Sequence, residues 1–180
     1  MAAPVRHRWM RRRRRAPREG ATAIEFAIVA LPFFFVIFAI LELGIIFLVD
    51  SMAESAVQQA SRLVRTGQAQ GGAISSAQFK TALCQGMSVF SGDCETRATV
   101  DVRVIPQFRD PNPPDPTADG ELAEGDGEFD PGAAGDLMLV RVWYEQPVIT
   151  PLLSQALTRL DSGTAVISIT TAFRNEPFDG

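Results

Sequence analysis

The sequence predicts an α+β protein, with a long amino-terminal helix and a small head in which a three-stranded, mainly antiparallel sheet packs on short helices. Three observations carry that reading. Residues 26–49 form an apolar run of 24 positions, interrupted only by Pro32, Glu42 and Gly44. Beyond Asp50, apolar residues continue at three-four spacing to Val64. Three later stretches, 98–105, 137–145 and 164–173, alternate apolar and polar residues at the period of a strand.

The first element is a basic leader, residues 1–20. It holds eight arginines against Glu19, a charge of +7 within a chain of net −4, so residues 21–180 carry −11. Arg11–Arg15 has the composition of a nucleic-acid or nuclear-import patch. Abutting an apolar run, it reads instead as a cytoplasmic retention signal, because Lys and Arg beside a span stay inside. The amino terminus is then cytoplasmic and the remainder lies outside. The junction reads Gly20-Ala21-Thr22-Ala23-Ile24-Glu25-Phe26. A small residue between a basic leader and an apolar helix suits a protease cleft, and a carboxylate at the edge of a membrane helix is unfavourable without a partner. Together these resemble a prepilin, with a leader ending at Gly20, a mature chain starting at Ala21, and Glu25 and Phe26 as assembly residues. An ordinary signal anchor is the alternative.

The second element is a helix over 21–67. Its run from 26 to 49 is about 36 Å long as a helix, enough for about 30 Å of hydrocarbon. A cleaved secretory signal has a shorter apolar core and an Ala-x-Ala-like site, and no such site follows Val49. Twin-arginine export fits no better. Glu42, in the membrane, is open to three readings: a pair with another subunit, protonation, or reach toward the outer interface. Met52, Ala53, Ala56, Val57, Ala60, Leu63 and Val64 form an apolar stripe opposite Glu54, Gln58, Gln59, Arg62 and Arg65. That half should pack under the head, with Gly67 ending the helix. Pro32 should kink or locally unwind it.

The head, 68–180, opens with a short helix capped by Ser75 or Ser76, with Phe79, Ala82 and Leu83 on one face. In the first strand Ala98, Val100, Val102 and Val104 face one way, and Thr99, Asp101, Arg103 and Ile105 the other. In the second, Met138, Val140, Val142 and Tyr144 oppose Leu139, Arg141, Trp143 and Glu145. Thr150-Pro151 reads as the cap and first turn of a helix bearing Leu152, Leu153, Ala156, Leu157 and Leu160. Ala165, Ile167, Ile169, Thr171 and Phe173 share a face of the third strand. Between them, 106–136 holds six prolines, with nine carboxylates from Asp110 to Asp136 and no base after Arg109. Such a stretch reads as a mobile exposed loop.

Cys84 and Cys94 are the only cysteines, and an even count in an exported domain reads as one disulfide, with two free thiols as the alternative. The composition argues against an enzyme. The only histidine, His7, lies in the leader, so no histidine-based triad or zinc site is available to the head. Two cysteines are too few for a thiolate cage, and their spacing is not C-x-x-C. Asp126, Glu128 and Asp130 lack the spacing of a calcium loop. No phosphate-binding Gly-rich loop occurs, and carboxylates in a mobile loop cannot hold glycosidase geometry. No cofactor, metal, nucleic acid or small-molecule substrate is expected.

The last strand closes on Arg174-Asn175-Glu176-Pro177-Phe178. With the junction at Gly20 and Glu25-Phe26, Ala60-Ser61-Arg62 through Thr66-Gly67, and the Cys84 and Cys94 pair, it resembles the TadE-like family over 20–178. Members are minor pilins or pseudopilins of the tight-adherence (Flp) pilus machinery. The resemblance implies cleavage by a prepilin peptidase and a part in priming or assembling a pilus used for adhesion and secretion-related attachment. It also implies other minor pilins and assembly-platform proteins as partners, and a place in the bacterial inner membrane with a periplasmic head, or in the pilus itself. A stationary, single-pass binding or scaffold protein of the periplasm is the alternative. The acidic insertion at 106–136 is not explained by the resemblance.

Overall fold

The computed structural model describes residues 19–107, 109, 117, 122, 127–158, 160 and 162–178. It contains helix α1 (Glu19–Arg65), a 3-10 turn at Gln70–Gly72, α2 (Ser76–Gly86), a 3-10 turn at Ser88–Phe90 and α3 (Ser91–Arg97). Strands β1 (Ala98–Val104) and β2 (Leu137–Pro147), the short helix α4 (Leu153–Leu157) and β3 (Thr164–Arg174) follow. The α+β class and the three-stranded antiparallel sheet are as the sequence predicts. The chain divides into two compact units, Met1–Ile37 and Phe38–Gly180. The described residues of the first are the amino-terminal part of α1.

Among the described residues, Gly20–Arg65 is the one helix long and apolar enough to cross a membrane; its most apolar window has a mean hydropathy of 2.7 and none of it is buried. Pro32 sits inside α1, yet the helix continues through it without local unwinding. Proline removes one backbone hydrogen bond, and the bonds of adjacent turns in an apolar helix hold the helix across that gap.

In the second unit, the sheet order is β1-β2-β3, antiparallel throughout, with Val100 opposite Val142 and Val142 opposite Ile169. Val49, Ala53, Ala56, Val57, Ala60 and Val64 of α1 are buried in one core with Phe79 and Leu83 of α2 and Val100, Val140, Val142, Tyr144, Ile167 and Ile169 of the sheet. Three of the α1 contacts are alanines, which lets a backbone come close. A β-carbon on Gly86 would lie 2.9 Å from that of Ala56, so α2 ends against α1 where only glycine fits.

Ser75 caps α2 through a capping box with Gln78, each side chain bonding the other's backbone N–H. The sequence reading missed α3, whose seven residues include Cys94. It also read β2 as buried on one face only. As the central strand, β2 is buried from Met138 to Tyr144 on both faces, since each of its edges carries a neighbour and its second face holds Leu139, Arg141 and Trp143.

The helix expected from Thr150 starts only at Leu153 and runs five residues, with Leu152 rather than Thr150 in the cap position and no side-chain cap bond. Leu152 has φ +68°, outside helical space, and the Thr150 amide is engaged by Glu42.

Within the segment read as one loop to 136, residues 127–136 are tied to the sheet. Gly127 N–H donates to Val100 O (2.7 Å), Val102 N–H to Glu128 O (2.7 Å) and Asp130 N–H to Val102 O (2.8 Å). Phe129 packs on Phe79 at 5.6 Å. Residues 127–130 therefore border β1, and the apolar Phe129 amid the carboxylates anchors them. Most of the remaining loop, Asp126 included, lies outside the described residues.

Candidate functional site

Four places hold the sequence-predicted residues: the start of α1, the mid-helix acid Glu42, the Cys84 and Cys94 pair, and the end of β3 with the residues after it. The leader up to Arg18 lies outside the described residues. Gly20 and Ala21 fall in the first turn of α1, exposed. A β-carbon on Gly20 would meet nothing within 4 Å and its backbone is not left-handed, so nothing in the fold requires glycine there. Glu25 and Phe26 are exposed one turn further on, Phe26 at 71%. Gly44 likewise faces open space, although glycine inside a helix costs about 1 kcal/mol relative to alanine.

Glu42 bonds within its own chain. One carboxylate oxygen accepts from the Ile149 N–H, and the other from the Thr150 N–H at 2.8 Å. Both amides belong to the connection between β2 and β3. Two backbone amides of the same chain are partners that none of the three sequence readings named.

The carboxyl end of the chain closes on the end of α1. The Glu176 N–H donates to Arg65 O at 2.9 Å, satisfying one of the carbonyls a helix end leaves open. The Glu176 carboxylate meets Arg65 Nε at 3.1 Å, with both side chains about half exposed, so that ion pair adds little. Asn175 is buried at 2% exposure. Its Nδ2 donates to Pro131 O (3.0 Å) and Ala133 O (3.1 Å), while its N–H reaches Asp136 O (2.9 Å). Gly67 has φ +80°, and a β-carbon there would stand 2.6 Å from Cγ of the Phe178 ring. Arg174 is exposed at the end of β3, an edge strand, opposite Leu137. Beside this junction a groove of about 330 Å3 is lined by Gln58, Ser61, Arg62, Arg65, Thr171 and Phe173. The Ser61 hydroxyl is buried there without a hydrogen-bond partner.

Cys84 of α2 and Cys94 of α3 form a disulfide, with Cα atoms 5.4 Å apart. It ties the two helices within the core, Cys84 2% and Cys94 0% exposed.

Sequence reasoning missed one polar cluster. Asp101, 1% exposed, accepts from Arg103 Nε (2.9 Å) and Nη2, from Arg141 Nε (3.1 Å) and Nη2 (2.9 Å), and from the Glu128 N–H (3.1 Å). The Arg141 guanidinium lies 4.7 Å from the centre of the Trp143 ring. Burial alone would raise the Asp101 pKa; hydrogen bonds from Arg103 and Arg141 outweigh it and hold the carboxyl below its ordinary range. The same bond to Asp101 raises Arg103. A signal existed: Asp101 pairs with Arg141 across the two strands' polar faces. Among the described residues no group of His, Cys, Asp and Glu is arranged to hold a metal. The cluster is a set of ion pairs satisfied within the head.

The family model described as TadE-like protein matches residues 20–62. No curated protein and no solved structure matches the chain.

Proposed function

With residues 20–62 matching the TadE-like family, associated with the Tad pilus and not with an enzymatic activity, we propose that this chain is a minor pilin or pseudopilin. In this reading it takes part in priming or assembling a Tad/Flp-type pilus, at the tip or at the membrane. A prepilin peptidase removes residues 1–20, α1 crosses the inner membrane over about 26–49 with its amino end cytoplasmic, and the head of 68–180 faces the periplasm. Other minor pilins and assembly-platform proteins are its partners.

The observation that carries the reading is where the family match begins. It opens at Gly20, where an exposed glycine is required by neither backbone conformation nor space. Its smallness then serves a visiting enzyme. Glu25, exposed one helical turn after Ala21, is placed to meet the new amino group of its own or a neighbouring subunit, and the second pairing sets register between helices. The test is the mass of the mature amino terminus. The membrane-bound product should begin at Ala21, and Gly20→Lys should keep the leader attached. Recovery of intact Met1–Gly180 from cells with an active prepilin peptidase would remove the pilin reading.

One observation favours a second reading, a stationary membrane-anchored binding or scaffold protein. Glu42 is satisfied within its own chain, so that part of α1 offers no unpaired acid to a neighbouring helix. Cleavage at Gly20 with incorporation into a pilus complex would exclude it.

A further inference from the structure

The connection from β2 to β3 carries two large apolar side chains into the open: Ile149 is 87% exposed and Leu152 is 64% exposed. Leu152 also has φ +68°, a conformation a leucine adopts only under constraint. The connection is held at one place on α1, through the Ile149 and Thr150 amides bonded to Glu42. Around Glu42, the α1 side chains Phe38, Leu41, Ile45 and Leu48 are exposed by 57, 58, 46 and 48%. Seven residues separate Glu42 from Val49, where the apolar run closes, which is about 10 Å of helix. A segment hydrogen-bonded to Glu42 is thus held level with the outer part of the apolar run.

We propose that residues 148–153 form a lipid-contacting wedge. Ile149 and Leu152 enter the interface of the bilayer that α1 crosses, and Glu42 is the latch that holds them there. The inference rests on the reading of α1 as a membrane span. Backbone N–H groups carried into an apolar layer need acceptors; the two carboxylate oxygens supply one each to Ile149 and Thr150, and Pro151 has no N–H to satisfy. Amphipathic elements that bury apolar side chains at headgroup depth bind lipid in the same way. A second copy of the chain is a weaker occupant. Two protruding side chains offer far less than the roughly 800 Å2 per partner of a stable protein interface.

The test uses the full chain in nanodiscs of phosphatidylethanolamine and phosphatidylglycerol. Because Cys84 and Cys94 are joined, Ile149→Cys or Leu152→Cys gives a single thiol for an environment-sensitive fluorophore. Lipids with a nitroxide near the headgroup should quench it at least about twofold more than at Val89→Cys, an apolar head position that is 76% exposed. Equal quenching at the three positions overturns the wedge. Phe33→Cys, in the apolar run, reports the span separately: deep-nitroxide quenching there without quenching at 149 and 152 defeats the wedge alone, and no quenching at any of them defeats the span as well. Shielding at 149 only when two chains share a nanodisc assigns the loop to a second copy and also overturns it. For the latch, Glu42→Ala should speed amide exchange at Ile149 and Thr150 by about tenfold or more; unchanged exchange overturns that part.

Discussion

Asp101 shows how much one residue decides. Its carboxylate holds two guanidinium groups in a strand pair that buries it almost fully. Asp101→Asn removes the carboxylate that both guanidinium groups share, leaving Arg103 only the more distant Glu128 at 3.5 Å, and removing one partner of a buried pair costs about 3–5 kcal/mol. Arg103 is partly exposed, which places the expected loss near about 3 kcal/mol in denaturant unfolding of the full chain. The pH dependence has a definite sign. The folded Asp101 pKa is lowered, so its stabilisation is present above the unfolded value of about 3.9 and disappears as pH falls through the folded value. Melts of the wild type below pH 4 should therefore lose a component that Asp101→Asn already lacks. Identical acid curves for the two proteins would show that Asp101 is not the group involved. Glu25 belongs to the same scale with a different readout. Glu25→Ala should leave cleavage and insertion intact while abolishing incorporation into the pilus complex; wild-type piliation would sink the pairing idea. Glu42→Ala should have the milder effect on assembly.

At the scale of elements, the disulfide between α2 and α3 closes a ten-residue separation, worth on the order of 2–3 kcal/mol through the unfolded chain. Replacing both cysteines by serine should lower the unfolding midpoint accordingly, and an unchanged midpoint would show the link contributes nothing. Gly67→Ala should be comparably destabilising, because a left-handed φ and the Phe178 ring both exclude a side chain; a melt equal to wild type would contradict that geometry. Elements with a strong local signal were legible in the sequence: α1 by its length, α2 by its serine cap and apolar face, each strand by its alternation. What was not legible came from long-range pairing. Asp101 looked like a solvent-facing strand residue until Arg141 was placed opposite it, and β2 looked one-sided until it became the central strand. Thr150-Pro151 carried a good local helix-start signal, but Glu42, 108 residues away, took the amide. Phe129 was the one apolar cue that 127–136 leave the acidic loop for the sheet.

For the whole molecule, the sequence reading placed its candidate residues at the start and the middle of α1 and after the last strand, and the structure gives them different neighbours. The junction at Gly20 and Glu25 stands exposed, as a site used by other proteins would. Glu42 is hydrogen-bonded by two amides of its own chain. The terminal Arg-Asn-Glu-Pro-Phe segment, read from sequence as a family mark, meets the end of α1 and the 131–136 segment at once. A reading from local patterns could not supply the contacts of the last two, because spacing along the chain carries no record of which backbone amide or carbonyl lies across the fold.

That closing contact has a consequence for the order of events. The Glu176 N–H completes the end of a helix whose last residue is Arg65, and β3 supplies one whole edge of the sheet. A head emerging amino end first therefore cannot finish folding until residue 176 has followed. Until then β2, whose two faces are both buried in the finished head, offers an unpaired edge to any strand it meets, and contacts so distant in sequence form slowly. Until that edge is covered the chain is open to aggregation. Stopping the chain before Asn175 should leave a head that is synthesised and inserted but degraded by proteases that the full-length protein resists, a difference pulse-chase analysis would read directly.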